Sequence, residues 1–403
     1  MTYVLRPERG TRPANRRELI LGAATELFAA HGYEYVSMGE IAEAVAVRSS
    51  ALYRHFSGKE HLLEEILRRG VEQLEAAVSA LDLGAGPGGL LELAGFVIDN
   101  RHIGALIGRE LPHLSEEPRA GVRQALVSVA HLFAGQIAAV RPELAPHAAD
   151  FLSRAALAVL QSPAYHHAEL PRTEYCAEIA ELTWRVLFSP LPPEFTGEPL
   201  PARPAGLLPY SRREALLAHA IALFAERTYA SVSIEDVAAT LGIAGTSVYN
   251  HFPSKSAILV TALVRGSAGL SMQITDTLAT SASAEAALRT LIRLYADFAA
   301  GHPALIDLMI SEARSLPDPD QEATLTAQRD YVAELVQLLR QVHPALSPPD
   351  GRVQIQAALM IANDIARIPH LRQQVASTQA VAAVCDQLLA LTAPSARLTD
   401  GAG

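Results

Sequence analysis

Lysine is almost missing from this chain. Of 33 Lys+Arg residues only Lys59 and Lys255 are lysine, so nearly every positive charge is a guanidinium. Cysteine is equally scarce. Cys176 and Cys385 each stand alone in an amphipathic segment, which excludes a disulfide framework and reads as two small core residues in a reducing compartment. Aromatic residues make up 5% of the sequence while Ala and Leu abound, a balance that favours helix packing over sheets. No uninterrupted apolar run reaches the length of a membrane span, and the N-terminal MTYVLRPERGTRPANRR has arginines but no apolar stretch behind them. No secretory leader and no membrane partner are therefore expected, and the chain is expected in the cytoplasm. Strand-like alternation, a Gly-rich phosphate loop, nucleophile–base pairing and metal-ligand spacing are all wanting, which argues against an enzyme and against a cofactor. The HHAE run at 166–169 sits between Pro163 and Pro171 with no second cluster, so no metal is expected.

What is present is length and repetition. A chain of 403 residues with 50% hydrophobic and 19% charged residues has material for at least two cores. The formal charge of −10 is unevenly spread: residues 1–69 hold ten Arg/Lys against nine Asp/Glu, and residues 203–265 hold six against four. The acidic excess lies elsewhere, as in a protein that docks one edge on a polyanion and keeps a solvated acidic body.

Those two basic segments are copies of one another. Residues 16–63 lie over 212–259 without a gap, at a constant offset of 196. Identities include Arg16/Arg212, Arg17/Arg213, Phe28/Phe224, Tyr33/Tyr229, Ser37/Ser233, Tyr53/Tyr249, His55/His251, Phe56/Phe252 and Lys59/Lys255. The duplication continues at an offset of 202, where VRPELAP (140–146) matches VHPALSP (342–348) and Glu110 matches Glu312. Six residues are therefore inserted in the second copy, and the whole unit is doubled. Between the copies, residues 189–209 carry seven prolines. Such a stretch resists helix and, extended, spans on the order of 60 Å.

Within each copy, apolar residues at helical spacing (Leu19, Ile20, Ala23, Leu27, Phe28) give a one-sided amphipathic helix. Ser37 with Glu40, and Ser233 with Asp236, form a capping-box pattern that opens a second helix. A short break and a third helix ending in Tyr-x-His-Phe complete a helix-turn-helix. The pattern Ser-x-x-x-Ile-Ala-x-x-x-x-Val-x-x-x-x-Leu-Tyr-x-His-Phe-x-x-Lys resembles the DNA-binding signature of the TetR family of transcriptional regulators, and its doubling resembles the tandem members of that family.

The resemblance implies an all-α fold of two fused TetR-like units, each a three-helix DNA-binding domain followed by a helical ligand-binding and dimerisation domain. The expected division is a basic arm at 1–15, DNA-binding domains at 16–65 and 211–262, helical bodies at 66–188 and 263–395, and a linker at 189–210. The family's dimer helices fall at about 148–162 with 172–188, and 350–366 with 373–393; their fusion implies an intramolecular pseudo-dimer, monomeric in solution. The partners implied are double-stranded DNA and a small hydrophobic effector that releases a repressor.

Family-like phosphate contacts fall on Tyr53, Lys59, Tyr249 and Lys255, with Arg16, Arg17, Ser37, His55, Arg212, Arg213, Ser233 and His251 around them. The two His residues read as structural, packing the helix corner, rather than as ligands of any metal. Base readout falls on Arg48, Ser49, Ser50, Ala51 and Arg54 in copy one, and on Ala244, Gly245, Thr246, Ser247 and Asn250 in copy two. Arginine suits guanine and Asn250 suits adenine, so two unlike half-sites are expected. Arg6, Arg9 and Arg12 suit either a minor-groove arm or a solvated tail. His102, Glu110, His113, His302, Glu312 and Arg314 are candidate effector-pocket groups, or else interhelical contacts. Copy one has Ala46 where copy two has Gly242, and neither Arg48 nor Ala244 is a good helix cap. The rival reading is a small-molecule sensor or scaffold in which one helix-turn-helix has lapsed.

Overall fold

The computed structural model describes residues 16–166, 168–201 and 209–391. The expected N-terminal arm with Arg6, Arg9 and Arg12, and the side chain of Arg314, lie outside the described residues. Among the described residues the chain is helical, apart from an isolated antiparallel bridge between Pro199 and Gln374. The all-α duplication is the observed fold.

The first half runs α1 (Arg16–His31), α2 (Met38–Ala44), α3 (Ser49–Leu52), α4 (Lys59–Ser79), α5 (Leu91–Asp99), α6 (Arg101–Glu110), α7 (Glu116–Val140), α8 (Pro146–Gln161) and α9 (Arg172–Leu187). The second repeats it as α10 (Arg212–Arg227), α11 (Ile234–Ala239), α12 (Gly245–Val248), α13 (Lys255–Thr280), α14 (Ala284–Gly301), α15 (Pro303–Ser311), α16 (Asp318–Val342) and α17 (Pro348–Arg367), then a short α18 (Pro369–Arg372) and α19 (Ser377–Leu388). Two helices are longer in the second copy: α13 has 26 residues where α4 has 21, and α14 has 18 where α5 has 9. Copy one instead breaks its next segment at Gly86, φ 70°, a conformation glycine allows, and Pro87 disfavours a helical conformation at the residue before it. By length and composition alone α13 resembles a membrane span, but Ile258, Leu259 and Leu263 on its first turns close the core of the second helix-turn-helix.

The halves join through α8 against α17 and α9 against α19. Alanines at 155, 156, 158, 357, 358 and 362 are buried here, and small side chains let helix backbones approach closely. Gln354 donates to Glu178 (2.8 Å) and His370 lies 2.9 Å from Asp150 across the seam. The first part of the proline-rich stretch is bound down. Phe195 is buried against Phe151, ring centroids 4.8 Å apart, and Val375 N–H donates to the Glu198 carbonyl at 2.9 Å. The linker thus straps α8 of one half to the α18–α19 turn of the other.

Candidate nucleic-acid interface and effector cavities

Both helix-turn-helix units are built from the same set of internal contacts. Ser37 and Ser233 each accept the N–H three residues on, while Glu40 and Asp236 accept back from the serine N–H at 2.7 Å. Arg17 and Arg213 lie over the Phe56 and Phe252 rings at 5.1 and 4.5 Å. Glu18 receives Arg69 at 2.7 Å, and Glu214 receives Arg265 at 2.9 Å, a repeated pair the sequence reading missed although all four positions obey the offset of 196.

The two lysines belong to this frame. Lys59 Nζ donates to the Tyr33 and Glu34 carbonyls at 2.8 and 3.3 Å and sits 4.2 Å from the Tyr33 ring centroid. Lys255 Nζ donates to the Tyr229, Ala230 and Val232 carbonyls at 2.8, 3.3 and 2.9 Å, 4.3 Å from the Tyr229 ring. An ammonium with three donors can cap a convergent set of carbonyls under an aromatic face. Both lysines are thus turned inward, holding the loop before the second helix. Arg17, Arg213, Ser37 and Ser233 are likewise engaged internally.

The outward face is what remains. Arg48, Ser49, Ser50, Tyr53, Arg54 and His55 are exposed in copy one; Ala244, Thr246, Tyr249 and Asn250 are exposed in copy two, with Gly245, Ser247 and His251 half-buried beside them. Ala51 is half-buried, as is Arg16, whereas Arg212 is exposed. The helix corners are packed by Phe56 and Phe252, each 1% exposed, and His55 is solvent-facing. Arg48 and Ala244 are the N-cap residues of α3 and α12 and make no side-chain cap. Ser49 begins the helix rather than capping it. The turn before α3 has Ala46 at φ 57°, where Gly242 takes φ 64°.

Of the candidate pocket groups, His102, Glu110, His113, His302 and Glu312 do not line either of the two cavities described below. Glu110 and His113 mark the junction of body and reader. His113 bridges Glu34 (3.0 Å) and Glu110 (3.4 Å) and stacks on Tyr33, centroids 5.5 Å apart. Burial pushes the Glu110 carboxyl up, and the charge of Glu312 adds to the rise. Burial, with Glu60, Glu34 and Glu110, pushes the Tyr33 phenol up to about 12. In the second half burial lowers the Lys255 ammonium while Glu312 opposes it. His302 is exposed beside Phe298, and His102 is exposed. α6 packs against α15, so the helices that meet the two readers are neighbours.

Two cavities lie in the bodies. The first, about 200 Å³, is lined by Leu74, Phe96, Ile107 and Leu157 with Arg154, and is closed by Asp364 and Ile368 of the second half. Burial lowers Arg154 and raises Asp364, each opposed in part by the other's charge. The second, about 620 Å³, lies among α13–α17 and is closed by Arg109, Ala164 and Tyr165 of the first half.

The sequence profile described as "Bacterial regulatory proteins, tetR family" matches residues 20–66 and 216–262, the two helix-turn-helix units. The chain belongs to the TetR family. The HTH-type transcriptional repressor KstR2 of Mycolicibacterium smegmatis is 32% identical over 123 residues, covering 28% of this chain and 58% of that protein. The HTH-type transcriptional activator FasR of the same organism is 39% identical over 79 residues, covering 18% of this chain and 36% of its own. The chain thus spans about half the length, or less, of the curated relatives it matches. Among solved structures, Mycobacterium smegmatis AmtR is 30% identical with a TM-score of 0.34, covering 45% of this TetR-family chain and 89% of its own.

Proposed function

We propose that this TetR-family chain is a non-enzymatic, sequence-specific DNA-binding transcriptional regulator. It binds one asymmetric operator as a single-chain pseudo-dimer and acts as a repressor that a small hydrophobic effector releases. The observation that carries the reading is the pair of readers with matched frames and unmatched faces. Arg48, Ser50 and Arg54 occupy positions held by Ala244, Thr246 and Asn250, and two identical half-sites cannot satisfy both faces. Supporting it, the helices that join the halves pair within one chain.

Signal transfer follows from α6 and α15. Arg109, near the end of α6, donates to the Ala29 carbonyl of α1 at 3.1 Å. Leu305 and Leu308 of α15 belong to the core of the second reader. Both helices also line the cavities, so a ligand that favours one placement of α6 or α15 favours one placement of the readers. It shifts DNA affinity only by its differential affinity for the two states.

The test is genome-wide binding followed by footprinting, then Arg54→Ala and Asn250→Ala on the footprinted site. Two unlike half-sites are expected under one chain, with each variant weakening binding by about 1–3 kcal/mol at its own half-site. A palindrome protected by two chains would overturn the pseudo-dimer. Loss from only one of the two variants would mean that a single reader is in use.

A further inference from the structure

The two cavities differ in charge as well as size. Around the first, Arg101 and Arg154 face a single carboxylate, Asp364. Around the second stand Arg109, Arg329 and Arg352, and its lining contains no Asp or Glu. Arg329 is exposed at the rim and donates to the Leu325 carbonyl and Thr326 hydroxyl. Among the described residues neither Arg329 nor Arg352 pairs with a carboxylate. The rest of the wall is largely apolar, with Leu270, Ile306, Met309, Leu359 and Met360. Deeper in, Tyr331 (6% exposed) and Ser267 (8% exposed) line the same cavity. Their hydroxyls are buried without a hydrogen-bond partner among the described residues. Such groups are costly unless something pairs with them. Tyr295 beside them donates to Asn363 at 2.8 Å.

We propose that the second cavity binds an amphipathic anion, with its acidic head among Arg109, Arg329 and Arg352 and its apolar body along the Met- and Leu-lined wall towards Tyr331. Arg329 and Arg352, which have no carboxylate partner among the described residues, favour carboxylate or phosphate oxygens, both of which a guanidinium can grip bidentately. The volume lies within the range of about 300–1,000 Å³ usual for small-molecule sites. Arg109 gives occupancy a consequence in the other half, because the same guanidinium holds the Ala29 carbonyl of the first reader. A ligand of the second body therefore acts on the reader of the first. The inference deepens the effector reading above and rests on it only for this last step.

The probes are dodecanoate, dodecyl phosphate and dodecanol, titrated calorimetrically into the full chain below their aggregation concentrations. At least one anion is expected to bind about tenfold or more tighter than the alcohol. Which anion does so separates a carboxylic from a phosphoric head. In the double variant Arg329→Ala/Arg352→Ala that preference is expected to vanish while dodecanol binding persists, which also shows that the cavity is still folded. The exposed single variant Arg329→Ala, expected to lose part of the preference, guards against a folding artefact in the pair. Equal binding of alcohol and anions, no binding of any probe, or an undiminished preference in both variants would overturn the proposal. DNA affinity is measured separately with the anion bound. If it does not move while the arginine-dependent binding holds, the ligand site stands and the effector reading falls.

Discussion

The two readers share a frame and differ in two internal features. Both have the lysine under its tyrosine, the arginine over its phenylalanine, the serine capping box and the Glu–Arg strut. Reader one has in addition Glu65, which takes Arg17, Arg68 and Arg69 at 2.9, 2.8 and 2.7 Å; reader two has Thr261 there, bonded only to its own helix at Ala257. Reader one also holds an alanine in a left-handed turn where reader two has glycine. After duplication, then, the contacts that shape the unit stayed paired, while the exposed face and the local supports diverged.

The sharpest test of the shared frame is to remove its lysines. Lys255→Met keeps the stem and deletes the ammonium, losing hydrogen bonds to three carbonyls and the contact with Tyr229. The expected cost is about 2–3 kcal/mol for the second reader, and slightly less for Lys59→Met, which has two carbonyl partners. Hydrogen exchange resolved along the chain should show the loss in the altered reader only. If protection is unchanged and DNA affinity alone falls, the lysines work as phosphate contacts after all.

Glu65 separates the readers by pH. Burial alone would raise its carboxyl, but hydrogen bonds from Arg68, Arg17 and Arg69 outweigh that and hold it at about 2. A carboxyl depressed in the folded state stabilises above its ordinary value of about 4.5, and that contribution is lost as pH falls from there towards 2. Reader one should therefore lose protection over this window more steeply than reader two. Glu65→Gln should cost about 2 kcal/mol at neutral pH and remove the extra steepness. Parallel pH profiles in the parent chain would show that the cluster is spent on something other than stability.

Much of this was legible because it is local. The helix-turn-helix units, capping boxes and duplication depend on short-range spacing that survives in any context. The inward contact of Lys59 is less plain in the sequence, although Tyr33 and Tyr229 recur with the lysines at a separation of 26 residues in both copies. Such a doubly repeated pair was a signal for contact. The cavities were not legible, for a different reason. Glu110 and Glu312 sit at matching places near polar neighbours, but whether a helix end faces a cavity or a neighbouring domain is decided by packing. The real cavities take walls from both halves, as with Asp364 in the first and Arg109 in the second, and a reading of either half by itself cannot assemble them.

The smallest expected effect sharpens the comparison most directly, because it concerns the same turn in two copies. Ala46 stands at φ 57° and Gly242 at φ 64°, so both copies take the left-handed conformation and only one has the residue suited to it. For a residue with a Cβ that conformation costs roughly 1–2 kcal/mol, offset partly by the larger entropy glycine loses on folding. Nothing lies within 4 Å of a Cβ built on Gly242, so sterics with neighbours do not enter and the backbone term stands alone. Ala46→Gly is expected to stabilise reader one by about 1 kcal/mol, and Gly242→Ala to destabilise reader two by a similar amount, both read by local hydrogen exchange. Opposite signs from opposite substitutions would establish that the turn carries the strain. If Ala46→Gly is neutral or destabilising, the alanine is tolerated for a reason outside its backbone, and the face of α3 that follows it is the place to look.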